Sequence, residues 1–233
     1  MIPIIVLWLF KKYKKAGSRK QFFQNMFTII KPSVYKIAGA ILTLILTFLA
    51  MSAIAQTKDL NYMIMRGTDI VGGIHFTETN TSGLKQMEME SKVKGRILFI
   101  SYSGSAREEA IYQNGVLYHS SIYRKLNGKE KANKQHQAVN NQYVIRSGEN
   151  SETSPIYPIT YNMLSLYSTE PVNIDKVYSD NFQRFLDIKK LEDHKYKISL
   201  PDGNTNYYYY HEGQLVLVEA HSTWYSVLIV LKK

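Results

Sequence analysis

The residues of this 233-residue chain that could do chemistry are its six histidines, 19 carboxylates and 18 tyrosines. No two of His75, His119, His136, His194, His211 and His221 fall two or four apart. Those are the spacings that put paired metal ligands on one strand or helix face, so the sequence predicts no metal and no cofactor. Motifs of the G-x-S-x-G, H-E-x-x-H, Walker and G-x-G-x-x-G types are lacking, and catalytic residues stay unassigned. Among the carboxylates, Glu108 and Glu109 are adjacent and face opposite sides of a strand. Glu88 and Glu90 share a face, but a solvated one. Asp175, Asp180 and Asp187, with His194, are the best candidates for acid–base work, and a solvated loop is the plainer reading of that stretch. His221 alternates with Glu219 and Leu217, as a surface or barrel-mouth histidine would. The tyrosines include a run at 207–210 whose alternate members face opposite sides. The pair Tyr207 and Tyr209, with Tyr161, Leu164, Tyr167 and Phe185, is expected to line a cavity for an apolar small molecule. The simpler role of strand tyrosines is the sheet–water boundary.

Composition narrows the classes that could hold such a site. There is no cysteine, which excludes disulfides, thiolate metal sites and thiol nucleophiles. The net charge is +10, yet eight of the 29 Lys+Arg and none of the 19 acidic residues precede residue 56. Residues 56–233 therefore hold 21 basic against 19 acidic groups. That near balance argues against a nucleic-acid partner.

The leader explains the asymmetry. Residues 37–55 carry no charge, follow Lys31 and Lys36, and end Ala53-Ile54-Ala55. A basic segment, an apolar segment and a small-x-small site are the parts of a signal peptide, here expected over 26–55 with cleavage after Ala55. The alternative is an uncleaved anchor, since 19 helical residues reach about 28 Å. Residues 1–25 are expected to be a dispensable extension or a mis-called start, because Met26 opens a complete leader. The expected location is the periplasm, with membrane contact only through the leader.

From residue 56 on, the pattern has period two. Over 87–100, Met87, Met89, Ser91, Val93, Gly95, Ile97 and Phe99 share one face, and Glu88, Glu90, Lys92, Lys94 and Arg96 the other. This predicts one long half-buried strand, with Ser91 and Gly95 leaving room on its inner face. Asn114-Gly115, Asn127-Gly128 and Asp202-Gly203 mark tight hairpins, while 80–83 and Glu212-Gly213 suit longer ones. The fold class is mainly β: an antiparallel meander of about ten strands, as a barrel, half-barrel or sandwich, over one domain, 56–233. One short helix is expected near 160–168, with Leu164 and Tyr167 buried. Residues 148–158 are read as a loop, and 129–141 as a polar edge strand or mobile arm.

The helix segment, Ile159-Thr160-Tyr161-Asn162-Met163-Leu164-Ser165-Leu166-Tyr167 followed by Glu170-Pro171, resembles the central signature of an exported family of Bacteroidota, the domain of unknown function numbered 6134. Val177-Tyr178-Ser179, Asp193-His194-Lys195-Tyr196, Leu200-Pro201-Asp202-Gly203 and Asn206-Tyr207-Tyr208-Tyr209 extend the likeness. More distantly the chain is similar to a broader set of exported β-rich proteins. The resemblance implies export, a Gram-negative envelope and a β-rich fold with one helix, and it implies no reaction.

Three functions compete on these grounds. The first is a non-catalytic β-module holding an apolar small molecule or lipid. The second is a structural or protein-interaction part of the envelope that uses the 129–141 edge. The third is a hydrolase acting outside the cytoplasm.

Overall fold

The computed structural model describes residues 56–97, 100–222 and 225–232. The expectations for the leader therefore lie outside the described residues. Hydrogen bonding joins fourteen strands into one antiparallel sheet. In chain order they are β1 (Gln56–Arg66), β2 (Asp69–Thr81), β3 (Leu84–Ile97), β4 (Ile100–Gln113), β5 (Val116–Leu126), β6 (Lys129–Val139), β7 (Gln142–Ser147), β8 (Asn150–Ser154), β9 (Lys176–Ser179), β10 (Arg184–Glu192), β11 (Lys195–Ser199), β12 (Thr205–His211), β13 (Gln214–His221) and β14 (Ser226–Leu231). The first eight form one meander and the last six another. β1 pairs with β14 to join them, with Tyr62 opposite Leu231 and Ile64 opposite Ile229. That leaves β8 and β9, consecutive in the chain, at the two ends of the sheet.

The fold class is the expected mainly-β meander, with fourteen strands in place of about ten. β8, β9 and β10 are the additions that periodicity misses. β8 lies inside the stretch read as a loop, because Asn-Ser-Glu-Thr-Ser has no apolar alternation to mark it. It forms as the ladder partner of β7, with Tyr143 opposite Ser154. The single strand expected over 87–100 also needs correcting. β3 ends at Ile97, which pairs with Ile100 of β4, so the chain reverses there.

Gly95 leaves no empty room. It lies opposite Tyr102, whose ring covers it so closely that a Cβ at 95 would sit 2.4 Å from the hydroxyl oxygen. The tyrosine replaces the side chain that the glycine lacks. β6 is likewise no free arm. Residues 134–137 are paired on both sides, to β5 and β7, while 129–133 pair with β5 alone and 138–139 with β7 alone. Turn chemistry fares better: Asn114-Gly115 and Asn127-Gly128 both take the positive φ values that two-residue hairpins require.

One face of the sheet is buried by a crossing segment, residues 155–182, which follows β8 and takes in β9. Its helical part, α1 (Ser165–Ser168), is four residues long, and all four are buried. An isolated turn of that length has no stability of its own, so packing must hold it. Ile159, Leu166, Val177 and Tyr178 of the segment are fully buried, in one core with Phe76, Met87, Leu117, Ile198 and Leu215 of the strands. Tyr167 stacks on Phe76 and meets Tyr62 edge-on, with ring centroids 6.0 and 5.4 Å away.

The segment is also hydrogen-bonded to many strands. Leu117 N donates to Ile159 O, Tyr210 OH to Leu166 O, Lys134 Nζ to Asn181 O and Tyr196 OH to Glu170. Within the segment, Tyr178 N donates to Tyr161 O and Met163 N to Tyr178 O, so residues 161–163 lie beside Tyr178. Leu164, 3% exposed, belongs to this core. Leu164→Ala is expected to cost about 2–5 kcal/mol in urea-denaturation midpoints analysed at constant slope. A loss below roughly 0.5 kcal/mol, the size typical of surface sites, would contradict this placement.

Candidate functional site

Strand alternation sends a row of polar side chains inward on β4, β5 and β6. Glu108, Ala110 and Tyr112 point in from β4; Ser120, Ile122 and Arg124 from β5; His136 from β6, directly opposite Ser120. The crossing segment answers them with Asn162 and Asp180. Asp180 is buried, accepts from Ser120 Oγ at 2.5 Å, and accepts from Asn162 Nδ2 at 3.0 Å. Asn162 is itself locked: its N–H donates to the Tyr112 hydroxyl at 3.0 Å, and its Oδ1 accepts from Ser165 Oγ at 3.1 Å. Beside this knot, Arg124 grips Glu108 through Nε and Nη2 on the same oxygen.

Between the sheet and the crossing segment, next to these groups, lies a cavity of about 230 Å³. Met89, Ile122, Met163, Tyr167, Phe182 and Leu200 give it apolar walls. Glu108, Arg124, Asp180, Asn206 and Tyr208 give it a polar side. Among the described residues, Arg124 Nη1 makes no hydrogen bond. A group with a polar atom placed against this side could take bonds from a planar guanidinium, which suits carboxylate and phosphate oxygens.

Ser120, His136 and Asp180 have the residue types of a nucleophile, base and orienter, but the connectivity is different. A serine nucleophile needs its hydroxyl proton on an imidazole nitrogen. Here Ser120 Oγ donates to the carboxylate, and neither ring nitrogen of His136 has a hydrogen-bond partner in the protein. His136 Nδ1 lies 3.8 Å from Asp180 Oδ1, an electrostatic contact too long for a hydrogen bond. The fully buried Tyr178 packs edge-on against His136, with its hydroxyl also unpartnered. Of these three residues only Asp180 lines the cavity. Ser120 and His136 therefore tie the crossing segment to the sheet and present no activated nucleophile.

The residues singled out from sequence scatter. Tyr167 lines the cavity, while Tyr161 lines a different one at the mouth of the fold. Leu164 is core. Phe185 is 39% exposed. Tyr207 and Tyr209 lie on the outer face, near Lys197 and Lys195; the buried pair is Tyr208 and Tyr210. The correction follows from register: Tyr208 pairs with Tyr196 and Val218, both buried.

Among the aspartates, Asp175 and Asp187 are exposed, but Asp180 is not the solvated loop residue expected. His194 pairs instead with Glu170, 3.1 Å away. His221 contacts Glu219 and Ser226. Among the described residues no cluster of three metal-ligating side chains forms. Sequence reasoning missed Ser120, Arg124 and His136. The available signal was register, since Ser120, Ile122 and Arg124 alternate on one face.

The architecture is that of an open antiparallel meander wrapped on an internal crossing segment. Residues 62–232 match the family model described as "Domain of unknown function (DUF6134)", and the chain belongs to that family. Neither a curated protein nor a solved structure matches it.

Burial sets Asp180 and His136 against each other in pH dependence. Burial, then the Glu108 charge, raises the Asp180 carboxyl from 3.8 to about 6, against the hydrogen bonds from Ser120 and Asn162. Burial, then Lys134 and His119, lowers the His136 imidazole from 6.5 to about 4. Folded Asp180 holds its proton more tightly than the unfolded chain does, so its contribution falls as pH rises from about 4 to 6. Folded His136 holds its proton less tightly, so its contribution rises from about pH 4 to 6.5.

The two slopes oppose one another, each on the order of 2–3 kcal/mol. Stability measured by urea unfolding should therefore change little between pH 4 and 6 on their account. Asp180→Asn should expose a rise with pH, and His136→Phe a fall. Parallel profiles for the wild type and both variants would refute the assignment.

Proposed function

We propose that the chain is an exported envelope protein whose folded part is a non-catalytic binding module for an apolar or lipid-like small molecule. The leader pattern of residues 26–55 supports export. The observation that carries the binding reading is the cavity of about 230 Å³ between sheet and crossing segment, walled by Met89, Ile122, Met163, Phe182 and Leu200. Interiors are packed to crystal density and leave few voids larger than a water molecule. This space is smaller than the roughly 300–1,000 Å³ of drug-sized ligand pockets, so its mixed lining suits only one ring or a short chain bearing a polar atom. Arg124, Asn206 and Tyr208 would orient the polar end, and the sulfur-bearing and aromatic walls would adapt to the rest. The unactivated Ser120 supports binding over hydrolysis.

The test is direct titration of the full chain with an environment-sensitive apolar dye, displaced by small aromatic and short-chain amphiphiles. Saturable binding is expected, with about 1:1 stoichiometry for a single site. Met163→Trp, which fills the cavity, should weaken it at least roughly tenfold, about the loss of a well-placed apolar group. Saturable binding that Met163→Trp leaves unchanged, or none at all, would overturn the reading.

A further inference from the structure

A second cavity, of about 600 Å³, opens at the mouth of the fold. It lies between the β2–β3 and β4–β5 turns, which are joined by the Asn114 N–H donating to Gly83 O at 2.7 Å, and the segment from Thr160 to Ile174. Its apolar walls come from Leu84, Tyr112, Tyr161 and Ile174. The aromatic hydroxyls are already engaged: Tyr161 OH donates to Thr169 O at 2.6 Å, and Tyr112 OH meets Asn162 N and Ser165 Oγ.

The charges at this mouth come from three adjacent strands. Lys58 of β1 lies directly opposite Glu78 of β2, and Lys85 of β3 opposite Asn80. The two ammonium groups converge on one residue. Lys58 Nζ donates to Ser168 O at 2.7 Å and Lys85 Nζ to Ser168 Oγ at 2.6 Å. One carboxylate faces both. Glu78, 6% exposed, lies 3.6 Å from Lys85 and accepts from Asn80 Nδ2 at 2.6 Å. Its other oxygen, Oε2, is buried without a partner. Two cations against one anion leave an unbalanced positive charge in a partly desolvated setting. Burial lowers the affinity of Lys58 for its proton; the Glu78 charge opposes that shift and Lys85 adds to it. Among the described residues lining this cavity, Lys85 is the one charged side chain.

We propose that the mouth cavity binds the anionic head of a small amphiphile, a carboxylate or a phosphate ester, on Lys85, with Lys58 adding positive charge from behind on Ser168 and the apolar part against Leu84, Ile174, Tyr112 and Tyr161. An anion there completes the charge balance that Glu78 leaves half met, and it accepts charge-assisted hydrogen bonds from donors already positioned by Ser168. This site stands apart from the interior cavity and does not depend on it.

Calorimetric titration of the full chain at low salt with octanoate, octyl phosphate and octanol tests this. At least one anionic probe should bind roughly tenfold or more tighter than octanol, the size of one charge-assisted hydrogen bond. Whichever of the two binds identifies the head group. Lys85→Gln should reduce that probe to the level of octanol, and Lys85→Arg should retain it. Glu78→Gln removes the competing carboxylate and should tighten anion binding, a change that loss of fold cannot produce. Met163→Trp, inside the other cavity, should leave these titrations unchanged. Equal affinity for all three probes, or anion binding indifferent to Lys85→Gln and Glu78→Gln, would overturn the proposal.

Discussion

The structure depends on one topological constraint: β8 and β9 follow one another in the chain yet form the two edges of a fourteen-stranded sheet. Laid flat, strands about 4.8 Å apart would separate those edges by roughly 60 Å. The link between them is not extended, since it contains α1 and the turns around it, so it falls well short of such a span. The sheet must curl until both edges are within reach of the link, and the link must then run through the interior. Burial follows from that. Ile159 and Leu166 of the link are fully buried, as are Val177 and Tyr178 of β9 where it ends.

A backbone segment inside a β-fold brings polar groups where no water reaches, and each needs a partner. This accounts for the unusual polarity of the inner face. Tyr112, Tyr143, Tyr196 and Tyr210 each combine an apolar ring in the core with a hydroxyl that bonds the crossing segment, and Tyr143 also donates to Leu117 O of β5. Asp180, Ser120 and Asn162 do the same with shorter reach. The richness in tyrosine is thus largely a packing solution, one side chain filling space and satisfying backbone at once. The two cavities lie where this filling stops, the smaller against Tyr167 and Tyr208 and the larger against Tyr112 and Tyr161.

Much of the fold was legible in the residues. Period-two alternation and Asn-Gly turns located most of the strands, and the 159–167 motif located the helical turn at Ser165–Ser168. Three features were not legible, each for a physical reason. β8 is polar throughout and exists because β7 offers a ladder. The end of β3 at Ile97 is invisible to periodicity, since Leu98 and Phe99 continue the apolar run. The inner face of β12 is Tyr208 and Tyr210, which follows from pairing with β11 and β13 and not from a run of four identical residues. The site was legible only in part. The helix residues pointed to the right layer, but Asp180 read as a loop residue because nothing local shows that Ser120, sixty residues earlier, will lie against it.

Amide hydrogen exchange read residue by residue is the most direct check that the crossing segment is the structural centre. The Met163 and Tyr178 amides, bonded within the segment, and the Leu117 amide, bonded from β5 to Ile159, are the reporters. If the sheet is curled and held by this segment, the three should exchange only through global unfolding, with opening free energies equal to that from denaturant titration. Exchange of these amides through openings well below the global value, while strand amides such as those of Phe76 and Ile198 stay protected, would show that the sheet stands without its crossing segment and would contradict the account.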